Sequence, residues 1–181
     1  MSPVVRTIII ISAVFVFLIV VLIVITSLYR KHRITIMNND ITNIFNEYIK
    51  NNPTYTLTVS GKLEYDYVFE TEKYIYYIKV VPNFSNQEIT VNNSVKWQLR
   101  KSFNDETMRF VSGIEPLMRM DLTNTKGKTN KKLYIVYPNA RSLLKYINEC
   151  EMEFVHSDTD VYGTNIITYV NLNENRDIIK L

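Results

Sequence analysis

The chain has 181 residues, with 21 Lys and Arg against 18 Asp and Glu, and a formal charge of +3 at pH 7. Four of the basic residues, Arg6, Arg30, Lys31 and Arg33, precede residue 34, a stretch without acids; the remainder carries 17 basic against 18 acidic residues. That near-neutral balance excludes a global electrostatic footprint for nucleic acid, and a single cysteine, Cys150, excludes an intramolecular disulfide.

The N-terminal feature is an unbroken apolar run that opens at Ile8 and closes at Leu28, without a charge inside it. At ~1.5 Å rise per residue these 21 residues make a helix of roughly 31 Å, which matches a hydrocarbon core of ~30 Å. A cleaved signal peptide fits poorly. The run exceeds the roughly 7–15 residues of a secretory apolar region, and Leu28-Tyr29-Arg30-Lys31 is a stop rather than a cleavage site. Residues 1–33 therefore read as a single-pass signal-anchor whose partner is the lipid bilayer, and 34–181 as one domain. Arg30, Lys31 and Arg33 follow the run and only Arg6 precedes it, so the domain is predicted to be cytoplasmic. The run has no GxxxG motif, and Ser12-Ala13 and Thr26-Ser27 are the small residues that would serve a homodimer.

Beyond the anchor, Ile41, Ile44, Phe45, Tyr48 and Ile49 mark one apolar helical face over residues 38–52, with Asn39 or Asp40 as cap and Pro53 as stop. Residues 55–59 alternate like a strand, and Ser60-Gly61 is a turn. Residues 63–70 alternate with period two, Glu72-Lys73 turns the chain, and 74–81 is almost continuously apolar or aromatic. This last segment predicts a central strand covered on both faces and broken by one lysine. A loop at 82–86 leads to a second hairpin, 88–92 with 95–100, turning at Asn93-Ser94. Residues 105–120, with Met108, Val111, Ile114, Leu117 and Met118, predict a helix kinked at Pro116. Residues 124–132 read as a polar basic loop, 133–137 as a short buried strand, and 140–147 as a helix with Leu143, Leu144 and Ile147 on one face. Residues 161–172 hold a Tyr162-Gly163 turn and a final strand, and the tail after Asn173 frays. The fold class is α/β or α+β, with one mixed sheet in α-β-β-β-α-β order.

Two residues are costly where they lie. Asp66 interrupts an aromatic strand, and Lys79 interrupts the strand expected to be buried on both faces. Glu64, Asp66 and Glu70 share one face by period-two spacing, and Tyr77 and Lys79 share one face of the partner strand. An aspartate on the second strand and a lysine in the middle of the third, in that element order, resemble the restriction-endonuclease-like PD-(D/E)xK nucleases over roughly residues 40–137. The resemblance implies Asp66 as a ligand for Mg²⁺ or Mn²⁺. It implies Lys79 as the catalytic lysine that positions or activates water, or stabilises phosphate charge. The acid two positions before the lysine is replaced by Tyr77, so Glu64, Glu70 or Glu88 would have to complete the metal site. The other reading of the same residues is a cross-strand ion pair in a domain with no active site.

The remaining signals are structural in character. Trp97 and most of the thirteen tyrosines sit at alternating strand positions. Lys126, Lys128, Lys131 and Lys132 form a solvated basic stretch, and Cys150 is a small half-buried hydrophobe. No P-loop, GxSxG, HExxH, CxxC or Rossmann glycine pattern occurs. Two functions follow: a membrane-anchored, cytosolic binding or scaffold domain without enzymatic activity, or a membrane-tethered, metal-dependent nuclease acting on nucleic acid.

Overall fold

The computed structural model describes residues 2–101, 109–122, 127–148 and 151–175. The chain divides into two compact units, Met1–Asp40 and Ile41–Leu181. A 49-residue helix, α1 (Pro3–Asn51), supplies all of the first unit's regular structure and the opening of the second. Its only proline lies at the first helical position, where the missing N–H is harmless, and no glycine interrupts it before Pro53. The apolar run and the helix expected at 38–52 are thus one element.

In the first unit, the side chains of residues 8–28 are almost all exposed; Phe15 is 63 % and Phe17 is 65 % accessible. A soluble core helix would bury such residues, whereas hydrocarbon would cover them. Among the described residues, α1 is the one helix long and apolar enough to cross a membrane, and none of its apolar window is buried.

The second unit has the expected α+β character but holds two five-stranded mixed sheets instead of one. The first comprises β1 (Thr56–Val59), β2 (Tyr67–Glu70), β3 (Tyr74–Pro82), β7 (Thr129–Tyr137) and β10 (Thr164–Thr168), in the order β1-β2-β3-β7-β10. The second comprises β4 (Glu88–Val91), β5 (Trp97–Arg100), β6 (Arg109–Phe110), β8 (Leu143–Asn148) and β9 (Glu151–Phe154), in the order β6-β5-β4-β8-β9. β3 is central, as its apolar run requires: antiparallel to β2 and parallel to β7. Alternate side chains give it two covered faces. On one, Tyr76 joins Phe69, which packs on Phe45 at 4.8 Å between ring centroids. On the other, Tyr77 and Val81 meet a core formed with Tyr134, Val136 and Ile166 of the same sheet and Ile89, Val91, Trp97 and Leu143 of the second.

The chain passes from the first sheet to the second twice, from β3 to β4 and from β7 to β8, and returns twice. Buried Asn83 ties the two outward passages together. Its amide donates to the Tyr137 carbonyl at 2.6 Å, and its Nδ2 donates to the carbonyls of Gln87 at 2.8 Å and Asn139 at 2.9 Å. Its Oδ1 accepts from the Gln87 amide at 3.0 Å, so every polar group of this buried side chain is matched.

Several expected elements differ. Of the helix expected over 105–120, the described residues from 109 on hold only α2 (Glu115–Arg119), because Pro116 starts a helix more readily than it continues one. Gly113, at φ +77°, turns the chain between β6 and α2, and Met108 lies outside the described residues. Residues 140–147 form no helix; Leu143 and Leu144 pair in parallel with Ile89 and Thr90 of β4, a non-local ladder that overrides local periodicity. β2 begins at Tyr67, which pairs with Ile78, and just before it the Asp66 amide donates to the Ile78 carbonyl at 2.8 Å. β7 begins at Thr129, inside the expected basic loop. β10 gives way to α3 (Tyr169–Glu174), capped by the Thr168 hydroxyl accepting from the Asn171 amide.

Two predictions follow from this packing. Phe69→Ala empties the junction between α1 and the first sheet and should cost about 3–5 kcal/mol, read from urea unfolding of the detergent-solubilised chain by Trp97 fluorescence. Burial pushes the Tyr76 hydroxyl from its ordinary 10.0 up to about 12. Its neutral form is thus favoured in the fold, and that stabilisation is complete below pH 10 and lost as pH rises through about 12. Tyr76→Phe should flatten the fall in urea midpoint across this window.

Candidate functional site

The structure brings Asp66 and Lys79 together. The Lys79 ammonium lies 3.1 Å from Asp66 Oδ1 and donates to the Leu63 carbonyl at 3.0 Å. The second carboxylate oxygen, Oδ2, accepts from the Val80 amide at 2.8 Å. Each partner thereby acquires a second attachment to backbone. The Lys79 side chain is 16 % exposed and that of Asp66 37 %, so the pair sits at the margin of the core, where a lone ammonium would be costly. Tyr65, next to Asp66 in sequence, and Tyr77, two residues before Lys79, have rings 5.0 Å apart in an edge-on arrangement.

The expected acids go to different places. Glu64 is half-buried beside Lys62, whose pKa is raised first by a hydrogen bond with Tyr65 and further by the neighbouring charges, Glu64 among them. Glu70 pairs with Lys128 at 2.8 Å, and Lys128 also donates to the Thr71 carbonyl at 2.6 Å. Four residues of extended chain separate Glu70 from Asp66, roughly 13 Å. Glu88 lies in the second sheet and accepts from the Ser142 hydroxyl at 2.7 Å. Among the described residues, no three His, Cys, Asp or Glu side chains group so as to hold a metal ion. In this arrangement the donor set does not fit Mg²⁺ or Mn²⁺: Asp66 offers one carboxylate, and both its oxygens are engaged.

Lys128, Lys131 and Lys132 of the basic stretch are half-buried and engaged. Lys131 stands 4.0 Å from the centroid of the Tyr74 ring, and Lys132 donates to the Met118 carbonyl at 2.7 Å. Burial lowers the Lys132 pKa, with Asp121 opposing. Lys126 and Cys150 lie outside the described residues. Trp97 is wholly buried against Tyr134, with ring centroids 4.8 Å apart, a core residue and no recognition platform. His156 borders a cleft of about 210 Å³ with Asn139, Phe154, Ser157 and Asn171. This is smaller than the roughly 300–1,000 Å³ of small-molecule sites.

Sequence reasoning missed the Lys128–Glu70 pair and the Asn83 junction. A lysine in a basic stretch carries no local sign of a partner 58 positions away. Asn83-Phe84-Ser85-Asn86 reads only as a loop.

Comparisons with protein-family models, with curated proteins and with solved structures found no match to this chain.

The geometry of the pair makes its own test. Asp66→Ala strands the Lys79 ammonium and frees the Val80 amide, and should cost about 2–3 kcal/mol, discounted for the exposure of the carboxylate. The double variant Asp66→Asn with Lys79→Met keeps an acceptor for Val80 and removes both charges. It should unfold within about 1 kcal/mol of the parent in the same urea titration.

Proposed function

We propose that this is a single-pass membrane protein that presents its α+β unit to the cytosol as a non-enzymatic binding or scaffold module. The observation that carries this reading is the exposed apolar helix over residues 8–28, whose side chains find no protein cover. Lys and Arg are retained on the cytoplasmic side of membranes, and Arg30, Lys31 and Arg33 follow the run while Arg6 alone precedes it. For the second unit, the engagement of Asp66 and Lys79 favours a structural role for both. The lysine secures the segment before β2 through the Leu63 carbonyl, and the aspartate occupies the Val80 amide.

The adjacency of Asp66 and Lys79 also favours a second reading, a degenerate PD-(D/E)xK nuclease. In that case a divalent ion would have to displace Lys79 from Asp66 and recruit a further carboxylate, and Glu64 is the nearest in sequence.

Two measurements test these readings. The full chain expressed in cells should resist alkaline extraction from membranes, and a reporter fused after Leu181 should be active only in the cytosol; activity only outside would reverse the orientation. The purified chain, incubated with DNA or RNA and Mg²⁺ or Mn²⁺, should cleave neither. Metal-dependent cleavage abolished by both Asp66→Ala and Lys79→Ala would replace the scaffold reading with the nuclease.

A further inference from the structure

The first unit has an unusual charge distribution. From its start to Asn39 the sequence contains no acid, while Arg30, Lys31 and Arg33 stand together directly after the apolar run. Arg30 and Lys31 are exposed and take part in no ion pair among the described residues. Their i+4 neighbours, Ile34 and Thr35, offer no counter-charge. At roughly 100° per residue, positions 30, 31 and 33 spread over an arc of about 160° of the helix, a broad partial belt rather than a narrow stripe. Tyr29, 61 % exposed, lies at the same level, and the Arg33 guanidinium stands 5.6 Å from the centroid of its ring. That contact keeps the cation beside an aromatic suited to the membrane interface.

The dimensions place this belt among lipid phosphates. If residues 8–28 fill the hydrocarbon, the five residues from Tyr29 to Arg33 rise roughly 7 Å beyond it. The polar headgroup layer is roughly 5–8 Å thick on each side. A broad cationic arc at that depth faces lipid phosphates. An additional negative charge on the headgroup adds an attraction that zwitterionic lipid lacks.

We infer that the belt formed by Arg30, Lys31 and Arg33 is a binding surface for anionic phospholipid headgroups, which gathers such lipids around the anchor in the leaflet these residues face. The inference rests on the anchor reading. It goes beyond orientation, because it assigns the cluster a ligand rather than a side of the membrane.

The test uses the full chain carrying Tyr29→Trp, reconstituted into vesicles of phosphatidylcholine with a minor fraction of phosphatidylserine. Either lipid carries bromine on its acyl chains, and both are compared at equal mole fraction. Trp97, wholly buried, supplies a constant background, subtracted using the parent chain. Brominated phosphatidylserine should quench the residue at position 29 about fivefold more effectively than brominated phosphatidylcholine. The preference should vanish in Arg30→Gln with Lys31→Gln, and also in the unsubstituted belt at high salt, which needs no charge substitution. Equal quenching by the two lipids would overturn the proposal and leave the anchor standing. No quenching by either would overturn the anchor reading as well.

Discussion

Strand β3 has hydrogen-bonded neighbours on both edges and cover on both faces, so any polar group it carries must be satisfied from within the fold. Much of the second unit can be understood from that constraint. One face of β3 is closed by the end of α1 through Phe45 and Phe69, the other by the second sheet through Trp97 and Tyr134. The single charge in the strand, Lys79, is met by Asp66 from the segment before β2 and by a backbone carbonyl beyond it. Because Asp66 also accepts from Val80, the aspartate joins β3 at two consecutive residues, and the regular β2 ladder starts only at Tyr67. The charged pair therefore ties the segment before β2 to β3 as well as satisfying a lysine.

The parts of this fold that were legible in the sequence are those set by neighbouring residues. The apolar run, the alternation before and through β3, and the β4–β5 hairpin around Asn93 all follow from period and turn chemistry. The pairing of Asp66 with Lys79 was foreseeable too, since a hairpin brings its two strands together. The second sheet was not. β8 carries Leu143, Leu144 and Ile147 at a spacing that suits a helix equally well, and its partner β4 lies more than fifty residues earlier. Pro116 was ambiguous in the same way, because proline is tolerated in the first turn of a helix and disruptive later. As for the site, two residues could be placed by local reasoning. The pairing of Glu70 with Lys128 depends on the β3–β7 ladder and could not be read locally.

The two units make opposite demands on solvent. The first exposes nearly all of its apolar side chains, while the second encloses its own in two packed layers and shows isolated apolar residues such as Val59 and Leu63. An exposed Leu or Val in a loop or at a strand end is ordinary; a continuous exposed run is not. This contrast is the physical basis for the proposed membrane anchor. It depends on no motif and on no relative.

The parallel pairing of β3 with β7 has a consequence for how the chain is made. These strands share nine register positions, yet 55 residues separate Tyr74 from its partner Thr129. During synthesis β3 emerges well before β7 and waits for that partner with one edge open. The first sheet cannot close until Tyr137 has left the ribosome, and β10 follows later still. Ladders of such long sequence separation form slowly, and an unpaired aromatic strand is a site for association between chains. Nascent chains would therefore pass through an interval in which β3 is the segment most in need of shielding.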